Sequence, residues 1–327
     1  MSWFRIFFVG ILFAAVNLQA QERRVLEIFP RHEIDLTLLG INAFANDSRF
    51  GTPQEQFSEI SSTLGIKYIR VLFAWSDQVQ PTPGAPIDFS FYDDIVKALP
   101  RGTKALVVIA NMPSWMNDDS NWTSNNARTT YFKFWVKKVV TRYRRKRKVL
   151  GFQVFNEPNS EAFFENYVMS TVNSPRNYLE LLKRSSRFIK RRAKKKKVVG
   201  AATSSIIQNF PETLNYNQTL RDAGIESLVD VFSIHVYGSS LERYYLGIGD
   251  FLASLARPIW VTESGQQGVL EQLEYVERVW PFLKGEHPAI ERFFYYRYAD
   301  SPDIDSAYGL KNLSLTNPVS DLYVYAR

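Results

Sequence analysis

The sequence predicts an α/β protein: a single (β/α)8 barrel. Three observations carry that expectation. Eight short apolar runs rich in Val, Ile and aromatic residues recur along the 327-residue chain. They start roughly 30 to 45 residues apart, the length of one strand plus one crossover helix. No composition shift or Pro/Ser-rich linker marks a second domain, and about 300 residues suits a barrel of eight such units.

The runs, in order, are LTLLGINAF (36–44), IKYIRVLFAW (66–75), KALVVIANM (104–112) and VLGFQVFNE (149–157), then KVVGAATSS (197–205), VDVFSIHVY (229–237), RPIWVTESG (257–265) and ERFFYYRYAD (291–300). Strict in/out alternation is weak in all of them, the pattern of strands buried on both faces. Between runs one and two, PQEQFSEISSTLG places apolar residues at helical spacing, and between four and five RNYLELLKRSSRFIKRRA does the same. An open doubly wound sheet would normally carry a glycine-rich phosphate loop after its first strand, and GINAFANDS has none.

Ahead of the barrel, residues 1–20 read as a secretory signal: Arg5, an apolar stretch, then Gln19-Ala20 before the charged QERR. The apolar stretch is short for a bilayer span, and no later segment reaches spanning length. A mature barrel of residues 21–327 is therefore expected, exported or periplasmic, without a transmembrane span, and monomeric. The chain has no Cys and three His. That excludes disulfides and thiolate chemistry and argues against a His-rich metal site, so neither a metal nor another cofactor is expected. Four N-x-[ST] sequons begin at Asn46, Asn121, Asn217 and Asn312.

In such barrels the chemistry lies at the C-terminal ends of the strands. Two runs end in glutamate there, Glu157 on the fourth and Glu263 on the seventh. Three strand-helix units separate them, which puts them across one barrel mouth. That arrangement suits a carboxylate pair about 5 Å apart, as retaining glycoside cleavage requires. Pro158 disfavours the helical region for Glu157, so the acid is expected to be held extended. Asn156 beside it can donate to a sugar hydroxyl. Arg70, alone in an apolar strand, needs a partner because an unpaired buried charge is costly. His235 and Tyr237 share one face of the sixth strand. Trp75, Trp115 and Trp122 follow strands two and three, where aromatics can stack on sugar rings, with Trp115 the favoured candidate.

Taken in order, IRVLFAW, MPSWMN, FNEPN, SIHVYG and WVTESG resemble the strand-end motifs of clan A glycoside hydrolases, nearest to the cellulase family 5 and the family 39 glycosidases. The resemblance spans nearly the whole mature chain. It implies a retaining β-glycosidase acting on a polysaccharide or oligosaccharide, with Glu157 as acid/base, Glu263 as nucleophile and Arg70 supporting the nucleophile. It also implies substrate contacts from Asn156, Trp115, His235 and Tyr237. Glu157 must then hold a proton at working pH, which burial and a neighbouring anion favour. The eighth run departs from the family pattern, offering Tyr296, Arg297 or Tyr298 where relatives place a Trp under the sugar, and Tyr296 is expected among the substrate contacts. An exo-acting glycosidase or transglycosylase would use the same two glutamates. A lapsed binding barrel would have lost one of them or Asn156.

The net charge of +7 comes largely from RYRRKRK (142–148) and from Lys183 to Lys197, both just ahead of a strand. Both clusters are therefore expected together at the bottom of the barrel. Cations at helix C-termini are the simpler explanation. Adhesion to an anionic envelope or matrix polymer is the sharper one. No nucleic-acid partner is expected, because no strand pairs basic with aromatic residues in the pattern such binding needs.

Overall fold

The structure is a computed structural model that describes residues 23–300, 306–313 and 319–327. The expected export segment, residues 1–20, lies outside the described residues. All eight apolar runs form strands: β1 (Leu39–Asn42), β2 (Tyr68–Ala74), β3 (Lys104–Ala110), β4 (Val149–Val154), β5 (Lys197–Val199), β6 (Phe232–Tyr237), β7 (Ile259–Gly265) and β8 (Ile290–Tyr295). They are parallel and ordered β5-β4-β3-β2-β1-β8-β7-β6, so β1 pairs with both β2 and β8. The remaining seam between β5 and β6 is drawn together by a parallel bridge from Val199 to Val231 and by Ser233 Oγ donating to Gly200 O at 2.7 Å. The result is a nearly closed, single-domain (β/α)8 barrel.

Helices follow the strands as the periodicity predicts. Pro53–Ser58 opens with Thr52 and Glu55 as a reciprocal capping box, and runs into Glu59–Thr63. Between β4 and β5 a short helix, Phe164–Val168, precedes the long one, Pro175–Arg192, which has proline at its start, where a missing N–H costs nothing. Among the described residues no helix is long and apolar enough to cross a membrane.

The barrel interior has two storeys. The lower is apolar: Leu106, Val199, Val231, Trp260 and Phe294 form a buried cluster, with Tyr68 and Leu150 against it. Gly40 makes this plug possible, since a Cβ there would lie 2.5 Å from the Phe294 ring. The upper storey is polar and nearly as buried, with Asn42, Arg70, Gln153, His235 and Glu263 all under one tenth exposed. Polar side chains at that depth are stable only when each finds partners, so this storey is the place to look for function. Outward-facing residues such as Ile41, Ile69, Val71, Val107 and Phe152 join the larger core under the helices.

Of the sequons, Asn217 is fully buried and its amide donates to Thr203 Oγ1 and Thr213 O, both at 2.8 Å. Asn312 is 5% exposed with its amide on Gly309 O, whereas Asn46 is exposed. Only the last of these three presents its amide to a glycan in the folded chain.

Candidate active site

Arg70 organises the polar storey. It rises from β2 fully inside the barrel, 2% exposed. Its Nη1 donates to Glu263 Oε1 and Asn42 Oδ1, both at 2.6 Å. Nη2 donates to Asn156 Oδ1 at 2.7 Å, and Nε to Gln153 Oε1 at 3.0 Å. The planar guanidinium carries five donors, and its four contacts reach β1, β4, the turn after β4 and β7 at once. Asn42 is itself fixed, donating to Thr262 O and Tyr295 O at 3.1 and 3.2 Å. Gln153 Nε2 lies 3.2 Å from both Phe155 O and Asn156 Oδ1. Asn42 and Gln153 were missed in the sequence reading, although a lone Asn in GINAF and a lone Gln in GFQVF carry the same signal as Arg70.

Glu263 sits inside β7 and is 8% exposed. The strand slips register between Val261 and Ser264 against β8, the irregularity that re-aims a side chain into a barrel mouth. Burial pushes its carboxyl up. The charges of His235 and Arg70, with hydrogen bonds from Arg70 and Tyr237, outweigh that and hold it below the usual carboxylate range. Tyr237 donates to Glu263 Oε2 at 3.0 Å. Burial and the adjacent Glu263 charge push that phenol well above its ordinary value, so it stays a donor. A carboxylate offers about four lone-pair sites, and two are taken here, leaving two toward the cavity.

Glu157 is placed differently from the sequence expectation. β4 ends at Val154, and the chain turns at once through Phe155 at φ +74° and Glu157 at φ +39°. Glu157 is thus in the left-handed region, and the extended conformation expected from Pro158 is corrected. Proline disfavours only the right-handed helical region, and the chain has to turn sharply from the barrel wall over its mouth. Such a backbone costs about 1–3 kcal/mol per residue and persists where surroundings over-determine it. Here Glu157 N donates to Ala202 O at 2.9 Å, and Glu157 O accepts from Ser160 N at 2.9 Å and Asn166 Nδ2 at 2.8 Å.

His235 stands between the two acids. Its Nδ1 is 2.8 Å from Glu157 Oε1 and its Nε2 is 3.5 Å from Glu263 Oε1. A carboxylate oxygen from each glutamate and a His235 nitrogen lie within 4.8 Å of one another. These three are also the one group of possible metal ligands among the described residues. They fit a divalent cation poorly, since Arg70 already neutralises Glu263 at 2.6 Å and would face the ion across the same oxygen.

The two glutamates open into a cavity of about 320 Å³, lined also by Arg70, Asn156, Tyr237 and Tyr296. Tyr296 stands edge-on to Tyr237, ring centroids 6.0 Å apart. Of its alternatives, Arg297 pairs with Asp300, and Tyr298 is 1% exposed with its hydroxyl on Glu59 Oε2. Trp115 does not line this cavity. Its half-buried indole donates to Gln80 O at 2.9 Å and packs edge-on against Trp75. Trp75 is fully buried, and Trp122 donates to Met116 O. The cavity wall also contains Phe44, Asn111 and Phe163 from loops and Glu165 from the short helix Phe164–Val168. Burial pushes the Glu165 carboxyl up, and Asn111 Nδ2 donates to it at 3.1 Å.

Residues 31–242 match the model of the cellulase family, glycosyl hydrolase family 5. The chain belongs to that family. The matched stretch includes Arg70, Asn156, Glu157, His235 and Tyr237 and stops short of Glu263, whose place in the site rests on the geometry above. No curated protein matches the chain. Among solved structures, this family 5 chain is similar to a GH39 β-xylosidase from Caulobacter crescentus, with a TM-score of 0.64 and 19% identity over 92% of this chain and 72% of that one. The GH39 enzyme from Xanthomonas axonopodis pv. citri matches with a TM-score of 0.64 and 17% identity, covering 97% and 71%. The exo-β-1,4-mannosidase Op5Man5 from an Opitutaceae bacterium, strain TAV5, gives 0.62 and 16%, covering 88% and 58%. At these identities the likeness is one of fold.

Proposed function

We propose that this glycoside hydrolase is an exported, monomeric, retaining β-glycosidase that cleaves within a β-linked polysaccharide by double displacement, with Glu263 as nucleophile and Glu157 as acid/base. The observation that carries this reading is the spacing of the acids, whose oxygens come within 4.8 Å. Retaining enzymes hold their carboxyl groups about 5–5.5 Å apart, and inverting enzymes about 6.5–9.5 Å to admit a water. In the first step Glu263 attacks the anomeric carbon, the glycosidic C–O bond breaks, and Glu157 delivers its proton to the departing oxygen. In the second, Glu157 takes a proton from water, whose oxygen displaces Glu263 and restores its carboxylate.

Arg70 and Tyr237 support Glu263 as the anion the attack needs, and His235 couples the two acids. Asn156, held by Arg70 through its Oδ1, has its amide available to the hydroxyl beside the reacting carbon. Tyr296, on the cavity wall, would flank the sugar. The cavity adjoins two further clefts that share Phe44, of about 510 and 390 Å³, which supports an extended cleft and internal cleavage. The name of the mannosidase favours an exo-acting alternative with the same chemistry, and the size distribution of early products separates the two.

The test is proton NMR of fresh hydrolysis products from a panel of β-glycans. The β-anomer should form first and mutarotate afterwards. Initial release of the α-anomer overturns the assignment of Glu263 as nucleophile. Glu165→Ala should lower kcat/KM on the order of 10–100-fold, the loss of one hydrogen bond to a charged group, with the anomeric outcome unchanged. Undiminished kcat/KM would remove Glu165 from substrate binding.

A further inference from the structure

The two basic clusters expected at the bottom of the barrel do meet there. They line one cleft of about 620 Å³ with five arginines, four lysines and no acidic side chain. Lys104, Val149 and Lys196 mark its place at the N-terminal ends of β3, β4 and β5, on the face opposite the barrel mouth. Among the described residues none of the nine cations forms an ion pair.

Helix C-termini account for only part of this. The two flanking helical segments end at Tyr143 and Arg192, and the dipole effect falls off within the last turn. Arg144, Arg145, Arg147, Lys194 and Lys195 all lie beyond those ends. Two of the cations are also braced. Lys196 Nζ donates to Lys146 O and Val149 O at 2.6 and 2.5 Å, and Lys104 Nζ to Arg147 O at 3.0 Å. Burial, with Lys104 nearby, depresses the Lys196 ammonium below its ordinary value. Like charges held together on a fixed frame repel one another, and a ligand that supplies several anionic groups relieves that repulsion.

We propose that this cleft is a docking site for a linear acidic polysaccharide, whose carboxylate or sulfate groups pair with the arginine forks. The concave shape suits a chain better than a flat bilayer, and the lining offers no exposed apolar side chain to insert into lipid. It also offers no aromatic ring for base stacking, which separates it from a single-stranded nucleic-acid groove. Arginine's planar fork matches a carboxylate or sulfate in two parallel hydrogen bonds. Docking there leaves the barrel mouth facing away from the bound polymer, free for substrate.

The test is binding of the full chain to polygalacturonate and to dextran sulfate at 50 mM salt, with neutral dextran, duplex DNA and phosphatidylserine vesicles as comparisons. Binding to one or both acidic polysaccharides is expected, weakening at least about tenfold by 500 mM salt as exposed charges are screened. Which of the two binds tells carboxylate from sulfate. The triple variant Arg145→Glu, Arg147→Glu, Arg192→Glu should lose at least about tenfold in affinity. The milder Arg145→Gln, Arg147→Gln, Lys195→Gln variant should lose less while keeping wild-type hydrolysis. No binding to either polymer, salt-independent retention, unchanged affinity in both variants, or tighter binding to DNA or vesicles would each overturn the proposal.

Discussion

Glu263→Gln is expected to reduce hydrolysis of any β-glycan to background, a loss on the order of 10⁵-fold or more, because the covalent route disappears with its nucleophile. The substitution is nearly isosteric, and the amide oxygen can still accept from Arg70 or Tyr237, so a folded but inactive protein is the outcome sought. Glu157→Gln behaves differently, and the difference is diagnostic. On a substrate with a poor leaving group the loss should be about 10²–10⁴-fold, the contribution of general acid–base catalysis. On an aryl glycoside whose leaving group needs no proton, the first step should be nearly normal. The second step then lacks its base, so a glycosyl-enzyme accumulates, visible as a burst of released phenol and as added mass on intact protein. Azide, an anionic nucleophile that needs no base, should restore turnover and yield a β-glycosyl azide. A burst in the Glu263 variant instead of the Glu157 variant would exchange the two roles. Wild-type turnover in either would remove that residue from the chemistry.

How much of this was legible before the coordinates depends on where each residue sits. Strand residues were readable because a parallel barrel buries both faces of each strand. Its sequence is then nearly all apolar, and any polar residue in it stands out. Arg70, His235 and Glu263 were found that way, and Asn42 and Gln153 carry the same mark. The β5 run overstated its strand: only Lys197–Val199 join the ladder, because Gly200 and the small residues after it leave the wall to reach the mouth.

Residues in the connections beyond the strand ends gave no such signal. Asn111, Phe163 and Glu165 converge on the cavity through connections whose course no periodicity encodes. Trp115 is a related case. It follows β3 as the sequence indicates, and its ring lies edge-on to Trp75 and Phe134, an arrangement set by packing. Glu157 is the instructive middle case. Proline chemistry correctly marks a rigid boundary, yet the rigidity comes from hydrogen bonds to Ala202, Ser160 and Asn166, residues that the local motif does not contain.

Arg70→Met should be the most destabilising single change in the site and should also reverse part of the acid response. Removing one partner of a buried ion pair costs about 3–5 kcal/mol, because the other charge stays behind in a poor solvent for it. Here Asn42 and Gln153 lose their donor as well, and Asn156 loses the shorter of its two. Arg70→Lys should fall between, since one ammonium cannot span four acceptors in a plane. The sign of the pH effect follows from Glu263. Its carboxyl is held below the ordinary value of 4.5 in the folded chain, so it contributes stability that is fully present above about pH 4.5 and is lost as pH falls through the folded value. Without Arg70, burial acts on that carboxyl with less opposition, and protonating it relieves part of the penalty. Denaturant melts of wild type and Arg70→Met between pH 7 and pH 3 should therefore converge on acidification, and the double variant Arg70→Met, Glu263→Gln should recover stability relative to Arg70→Met at pH 7. A constant gap between the two proteins over that range, or a double variant no more stable than Arg70→Met, would mean that Arg70 holds the barrel by packing and hydrogen bonding to its amide neighbours and that the charge on Glu263 is carried by His235 and Tyr237.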